Sequence, residues 1–225
     1  IDAVIAAFAK GAGYAKDAGF DGVEIHGAHG YIIDQFFWDG TNVRDDAFGG
    51  SLEKRTHFAA EIVRAVRARV GSDFPILLRF SQWKQQDFTA RLAQTPAELE
   101  RFLKPLADAG VDIFHCSTRR FWEPEFAETG SDMNLAGWTK KITGLPTITV
   151  GSVSLNQDFI TAYRTQGTET AANIDRLLEM LARGDFDLVA VGRALIVNPD
   201  WPDKIRTGRA GTLKPWSPEA LATLY

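Results

Sequence analysis

The chain of 225 residues is 45% hydrophobic and 24% charged, which suits one globular domain with a sizeable core, or a large piece of one. Its formal net charge of −4 offers no basic field to a phosphate backbone, so nucleic acid is not an expected partner. Cys116 is the only cysteine, which excludes a disulfide framework and any iron–sulfur cluster or zinc site built from this chain's own thiols.

In chain order, Ile1, Val4, Ile5 and Phe8 recur at helical spacing and predict a leading helix. The next stretch, KGAGYAKDAG, carries Gly11 and Gly13 and faintly resembles a dinucleotide loop. Its third glycine is misplaced, and the stretch precedes a strand where such a loop follows one. It reads as helix, with small residues packing on the sheet. GVEIHG predicts a strand near 22–27. NVRDDAFGGSLEKR reads as a loop locked by its own ion pairs, with Ser51 capping a helix that buries Ala59, Ile62, Val63, Val66 and Val70. PILLRFS predicts a strand near 75–81. QTPAELE opens another helix, with Thr95 as N-cap, Pro96 in the first turn and Glu98 three residues after the cap. Leu99, Phe102, Leu103 and Leu106 form its apolar face. DIFHCS, PTITVGS and DLVAVGR predict strands near 112–117, 146–152 and 187–193. No apolar run approaches the ~20 residues of a membrane span, and FDLVAVGRALIV is cut by Arg193. The start lacks the charged head and cleavage site of a signal peptide, so a cytoplasmic location is expected.

Helix and strand alternate, so the fold class is parallel α/β. Several strands are almost continuously apolar, which predicts cover on both faces. An open doubly wound sheet and a (β/α)8 TIM barrel compete. Five strands in 1–225 suit a single partial barrel domain holding about five of its eight units. Two features favour the barrel. The strand ends TVGS and AVGR place Gly151, Ser152, Gly192 and Arg193 where a barrel builds its phosphate site. There glycine lets backbone N–H groups approach closely and the arginine adds a charged contact, although each glycine alone reads equally as a plain turn. In addition, His26, His29, Arg79, Ser81, His115 and Ser117 cluster at the carboxyl ends of strands.

The stretch DGVEIHGAHGYIIDQF sets His26, His29 and Tyr31 within six residues. Metal binding, proton transfer and structural capping are all open readings of it. A metal wants a third ligand; His115 lies at another strand end, but no acidic ligand pattern accompanies it. Tyr31 equally reads as an amphipathic surface residue. Arg79, inside an apolar strand, needs a partner if buried. Glu24 reads as an inward polar residue paired with a neighbour, Cys116 as an inert buried thiol, and Trp122 and Trp138 as pocket wall or cover. No lysine falls at the five predicted strand ends, which counts against Schiff-base chemistry.

AGFDGVEIHGAHGY, N-x-R-x-D followed by FGGS, LLRFS, ITVGS and LVAVGRALIVNPDW come in the order and spacing of one family. Along its whole length the chain resembles the old yellow enzyme family of FMN-dependent NADH:flavin oxidoreductases, or ene-reductases, which are TIM barrels. On that resemblance Ile1 falls at the helix before the fourth strand, and the first three strands of the family barrel are absent from this chain. The resemblance also implies bound FMN, NAD(P)H as reductant, and a small enone or nitro substrate. It makes His26 and His29 the donors to the substrate oxygen, Tyr31 the proton donor and Arg79 the contact to the flavin's pyrimidine edge. Gly151, Ser152, Gly192 and Arg193 become the phosphate cradle. A homo-oligomer is compatible with the family. Ala47 and Phe48 stand where Glu and Tyr are more usual, in a loop that looks structural. The rival expectation is a non-catalytic half-barrel unable to hold flavin.

Overall fold

The computed structural model describes residues 1–222. Five parallel strands, β1 (Val23–His29), β2 (Ile76–Lys84), β3 (Ile113–Ser117), β4 (Thr147–Val150) and β5 (Leu188–Ala190), pair in sequential order. The intervening helices are α1 (Asp2–Asp17), α2 (Ile32–Phe37), α3 (Leu52–Val70), α4 (Pro96–Asp108), α5 (Leu135–Thr143), α6 (Phe159–Arg164) and α7 (Ile174–Ala182). Two more, α8 (Arg193–Val197) and α9 (Trp201–Arg206), follow β5. Each strand is followed by a helical crossover and pairs only with its neighbours in sequence, which is the connectivity of a (β/α) barrel wall. Among the described residues β1 and β5 are the two sheet edges.

The two faces of the sheet differ. Ile25, Leu78, Phe80, Phe114 and Cys116 point toward the helices and join the main core with Val63 and Val66 of α3, Phe102 and Leu106 of α4 and Leu135 of α5. The other face carries Glu24 and His26 of β1, Arg79 of β2 and His115 of β3, with Leu188 on β5 51% exposed. Cover on both faces, expected from the apolar runs, is therefore met by helices on one face only. On the opposite face strands of a barrel meet other strands, and these five do not close on themselves.

Local signals behave as the sequence predicts. Ser51 accepts a hydrogen bond from the Lys54 N–H at the start of α3. Thr95 accepts from the Glu98 N–H, while the Glu98 carboxylate accepts from the N–H of Gln94. KGAGYAKDAG is helix, but its buried glycine lies against α3 and not on the sheet: a Cβ on Gly13 would meet the Arg69 guanidinium. The loop after α2 pairs Arg44 with Asp46 at half-exposed positions. Its firmer anchor is the buried Asn42, whose amide donates to the carbonyls of Phe36 (2.6 Å) and Phe48 (2.7 Å). Trp122 packs on Phe121 and Trp138 on Phe126, so both are cover, not pocket wall.

Strand β2 runs three residues past its expected end at Ser81, to Lys84. A lysine does therefore end a strand. It is no candidate for Schiff-base chemistry: its side chain is 0% exposed and its Nζ lies 2.7 Å from Asp34 Oδ1.

Candidate active site at the carboxyl edge of the sheet

The carboxyl end of β1 is irregular. Pairing with β2 shifts register between Gly27 and His29, and His29 and Gly30 both adopt left-handed φ, 65° and 81°. Tyr31 then caps α2 with its ring about half exposed. This sharp exit from the strand folds the three sequence-predicted side chains together. The ring centroids of His26 and His29 are 5.3 Å apart, as are those of His26 and Tyr31.

Tertiary contacts fix His29. Its ring stacks on Trp83 at 4.5 Å, and its Nε2 lies 2.8 Å from Ser117 Oγ. Arg79 donates to the same Ser117 Oγ at 3.2 Å. The proton arrangement that serves all three groups has Ser117 accept from Arg79 and donate to His29 Nε2. The imidazole proton then sits on Nδ1, free to be given to a ligand. Burial, then the Arg79 charge, pull the His29 pKa down to about 3, so the ring is a neutral donor at ordinary pH. His26 is shifted the same way, by burial and by Arg79.

Arg79 is largely withdrawn from water, which lowers its pKa, and Glu24 opposes that with its charge. Arg79 makes no salt bridge among the described residues, and its buried Nε has no partner there. Glu24 pairs instead with His115, Oε2 to Nδ1 at 2.6 Å, as the inward reading of Glu24 anticipates. Burial disfavours the Glu24 carboxylate, but the His115 hydrogen bond and charge outweigh it and lower its pKa. No group of three or more His, Cys, Asp or Glu side chains forms a metal cluster among the described residues.

Next to His29 opens a cavity of about 340 Å³, within the size range of small-molecule sites. Its wall contains Arg79, Gly151, Ser152, Gly192 and Arg193, so the residues read from three separate strand ends converge. Arg193, the first residue of α8, donates to the Gln157 carbonyl at 2.9 Å, and its other terminal nitrogen is buried without a partner among the described residues. The Ser152 hydroxyl is committed to protein: it lies 2.9 Å from the carbonyls of Arg119 and Gln157. Gly151 has no side chain to offer and the Ser152 hydroxyl is engaged, so these two residues have their backbone left to offer the cavity.

The sequence reading missed Trp83, Phe159 and Arg119, which also line this cavity, and gave Ser117 no specific role. Trp83 lay past the expected end of β2. Its alternation with Ser81 and Arg79 along one strand was the available signal.

The sequence profile of the NADH:flavin oxidoreductase / NADH oxidase family matches residues 1–212. An NADH oxidase from Thermoanaerobacter brockii is 38% identical over 220 residues, covering 95% of this chain and 30% of that protein. An NADPH dehydrogenase from Clostridium acetobutylicum is 34% identical over 200 residues, covering 88% of this chain and 52% of that protein. The chain thus spans about half or less of the length of these relatives. Among solved structures, the old yellow enzyme homologue from Zymomonas mobilis superposes with a TM-score of 0.73 at 24% identity, over 100% of this chain and 56% of the other. Morphinone reductase in complex with tetrahydroNAD gives 0.73 at 25% identity, over 97% of this chain and 52% of the other. These likenesses make the five βα units part of a TIM-type barrel wall, and by the match along residues 1–212 the chain belongs to the NADH:flavin oxidoreductase / NADH oxidase family.

Proposed function

We propose that this chain forms the substrate and phosphate side of an FMN-dependent NAD(P)H oxidoreductase that reduces alkenes activated by a carbonyl or nitro group. The observation that carries the reading is the convergence of His29 and two under-partnered guanidiniums on one cavity wall, with the His26 ring beside His29 and the Tyr31 ring beside His26.

The residues present fit FMN. The cavity wall holds Arg79, Arg119 and Arg193 and no carboxylate. Buried donor atoms of Arg79 and Arg193 lack protein partners among the described residues, as expected of groups built to meet an anionic ligand. Arg193, with the backbone at Gly151, Ser152 and Gly192, would hold the phosphate, and Arg79 the pyrimidine edge of the ring. When bound, FMN would supply hydride chemistry, accepting a hydride from NAD(P)H and passing one to an alkene.

His26 and His29 would donate hydrogen bonds to the substrate's carbonyl or nitro oxygen, where negative charge grows as the β-carbon is reduced. Neutral imidazoles suit this task because donation from a fixed N–H needs no change of charge on the ring. Trp83 and Ser117 hold the His29 ring against rotation, so its donor is aimed before substrate arrives. Tyr31 would give its proton to the α-carbon. Its half-exposed position allows the phenol to be reprotonated from water.

The test is direct. Purified protein supplied with FMN should turn yellow, retain the flavin through desalting, and oxidise NAD(P)H faster in the presence of an enone. Colourless protein that takes up no FMN would overturn flavin catalysis by this chain on its own and leave the non-catalytic half-barrel.

A further inference from the structure

Among the described residues, the one ion pair with both side chains fully out of water lies beneath the turn that carries His29. Lys84 and Asp34 are both 0% exposed, with Nζ 2.7 Å from Oδ1. A buried ion pair is seldom worth more than well-packed apolar side chains of the same volume, because desolvation cancels much of the attraction. Its presence here calls for a task that apolar residues cannot perform.

The hydrogen bonds define that task. Asp34 Oδ2 accepts from the Gly30 N–H at 2.7 Å. Lys84 Nζ also donates to the Ser81 carbonyl at 3.1 Å, and Ser81 Oγ accepts from the His29 N–H at 3.0 Å. Two successive N–H groups of a left-handed turn are thus held by two side-chain oxygens, and one ammonium ties together the residues that supply them. The sheet gives little help, since regular pairing breaks between Gly27 and His29. A non-glycine residue at positive φ persists only where its surroundings impose it, and His29 is such a residue at 65°. Neither Lys84 nor Asp34 lines the cavity beside His29.

We propose that the buried side-chain oxygen of Asp34 is the positioning element of the site, with Lys84 balancing its charge away from water: it locks the left-handed His29–Gly30 turn and thereby sets where the His29 and Tyr31 side chains stand relative to His26. The inference rests on the proposed roles of those three residues. Lys84 and Asp34 touch neither substrate nor cofactor in this scheme and are positioning residues.

Two double variants of the FMN-loaded protein separate positioning from stability. Asp34→Asn/Lys84→Met removes both charges and keeps an oxygen for the Gly30 N–H. Asp34→Leu/Lys84→Met removes both charges and the oxygen. The probe is 4-hydroxybenzaldehyde, a phenol that imitates an enolate, followed by its charge-transfer band with oxidised flavin. The Asn/Met protein should bind it within about twofold of wild type. The Leu/Met protein should bind it about tenfold or more weakly, with slower alkene reduction and an unchanged rate of flavin reduction by NAD(P)H, since small displacements of positioned groups cost rate steeply. Equal phenol affinity in the two variants would overturn the proposal. A further readout needs no variant: the Gly30 amide of the wild-type chain should exchange hydrogen as slowly as the core of β2, and exchange at the rate of an open loop would also overturn it. If wild-type protein binds no phenol at all, the functional reading fails, while the Gly30 exchange still decides whether the turn is locked.

Discussion

Gly151→Ala probes the junction between the sheet and the proposed phosphate cradle. Gly151 follows β4 with φ 139°, a conformation that a residue bearing a Cβ avoids. An added Cβ would stand 2.7 Å from the Thr118 carbonyl oxygen and 2.9 Å from both the Arg119 carbonyl carbon and the Arg120 nitrogen. All three are backbone atoms, so no change of rotamer relieves the overlap. Strain of this kind costs ~1–3 kcal/mol and overpacking a further ~1–3 kcal/mol, so the loss should be about 2–6 kcal/mol against a typical total of ~5–15. With a urea dependence of ~3 kcal/mol per M, the unfolding midpoint should fall by about 0.7–2 M, read from tryptophan fluorescence. Gly192→Ala is the matched control. A Cβ there meets nothing within 4 Å, although its φ of −104° and ψ of −98° lie outside the regions that a residue with a Cβ prefers. The loss should therefore be strain alone, ~1–3 kcal/mol, without the overpacking cost of Gly151→Ala. FMN affinity should fall as well, because Gly192 lines the cavity. A Gly151→Ala midpoint equal to that of wild type, or equal shifts in the two variants, would refute the reasoning.

Tyr31→Phe should leave FMN binding and flavin reduction by NAD(P)H intact and slow alkene turnover by ~10²-fold or more; full turnover would remove Tyr31 from the protonation step. His29, with its pKa near 3 in the folded chain and ~6.5 when unfolded, contributes stability that is complete above about pH 6.5. That contribution drains away as pH falls toward 3, because the unfolded chain takes up the proton first. The slope is at most ~1.4 kcal/mol per pH unit and smaller for this partly exposed ring. His29→Gln should therefore lose less stability than wild type between pH 7 and pH 5 in urea titrations, and parallel curves would contradict the assignment. Cys116 is wholly buried, and burial pushes its thiol pKa up to about 12. A thiol reagent at mild alkaline pH should label it only after unfolding, and rapid labelling of native protein would show that the core is open there.

Some of the site can be read directly from the chain. His26 and His29 lie at the end of an apolar run, Tyr31 follows at fixed spacing, and Gly151 and Gly192 close two later runs. Apolar runs and glycine turns are local causes, so they locate strand ends and the residues that sit on them. The caps at Ser51 and Thr95 are legible for the same reason, since each is decided within four residues.

What only the tertiary structure decides is the company these residues keep. Ser117 reaches His29 across 88 positions, Lys84 reaches Asp34 across 50, and Glu24 reaches His115 across 91. No local pattern encodes such pairings; they follow from strand register and from how α2 packs against the strand ends. The same is true of Lys84 itself. The stretch Gln82–Trp83–Lys84 looks like the start of a loop, and it continues β2 because His29 stands opposite Lys84 on the neighbouring strand. The sequence alone determined a parallel α/β chain with its candidate site residues at the carboxyl ends of its strands, because hydrophobic periodicity and turn residues act over short range. The protonation, aim and rigidity of those residues were settled only when distant polar groups were brought together out of water, where each unpaired donor or charge is costly and the fold had to supply its partner.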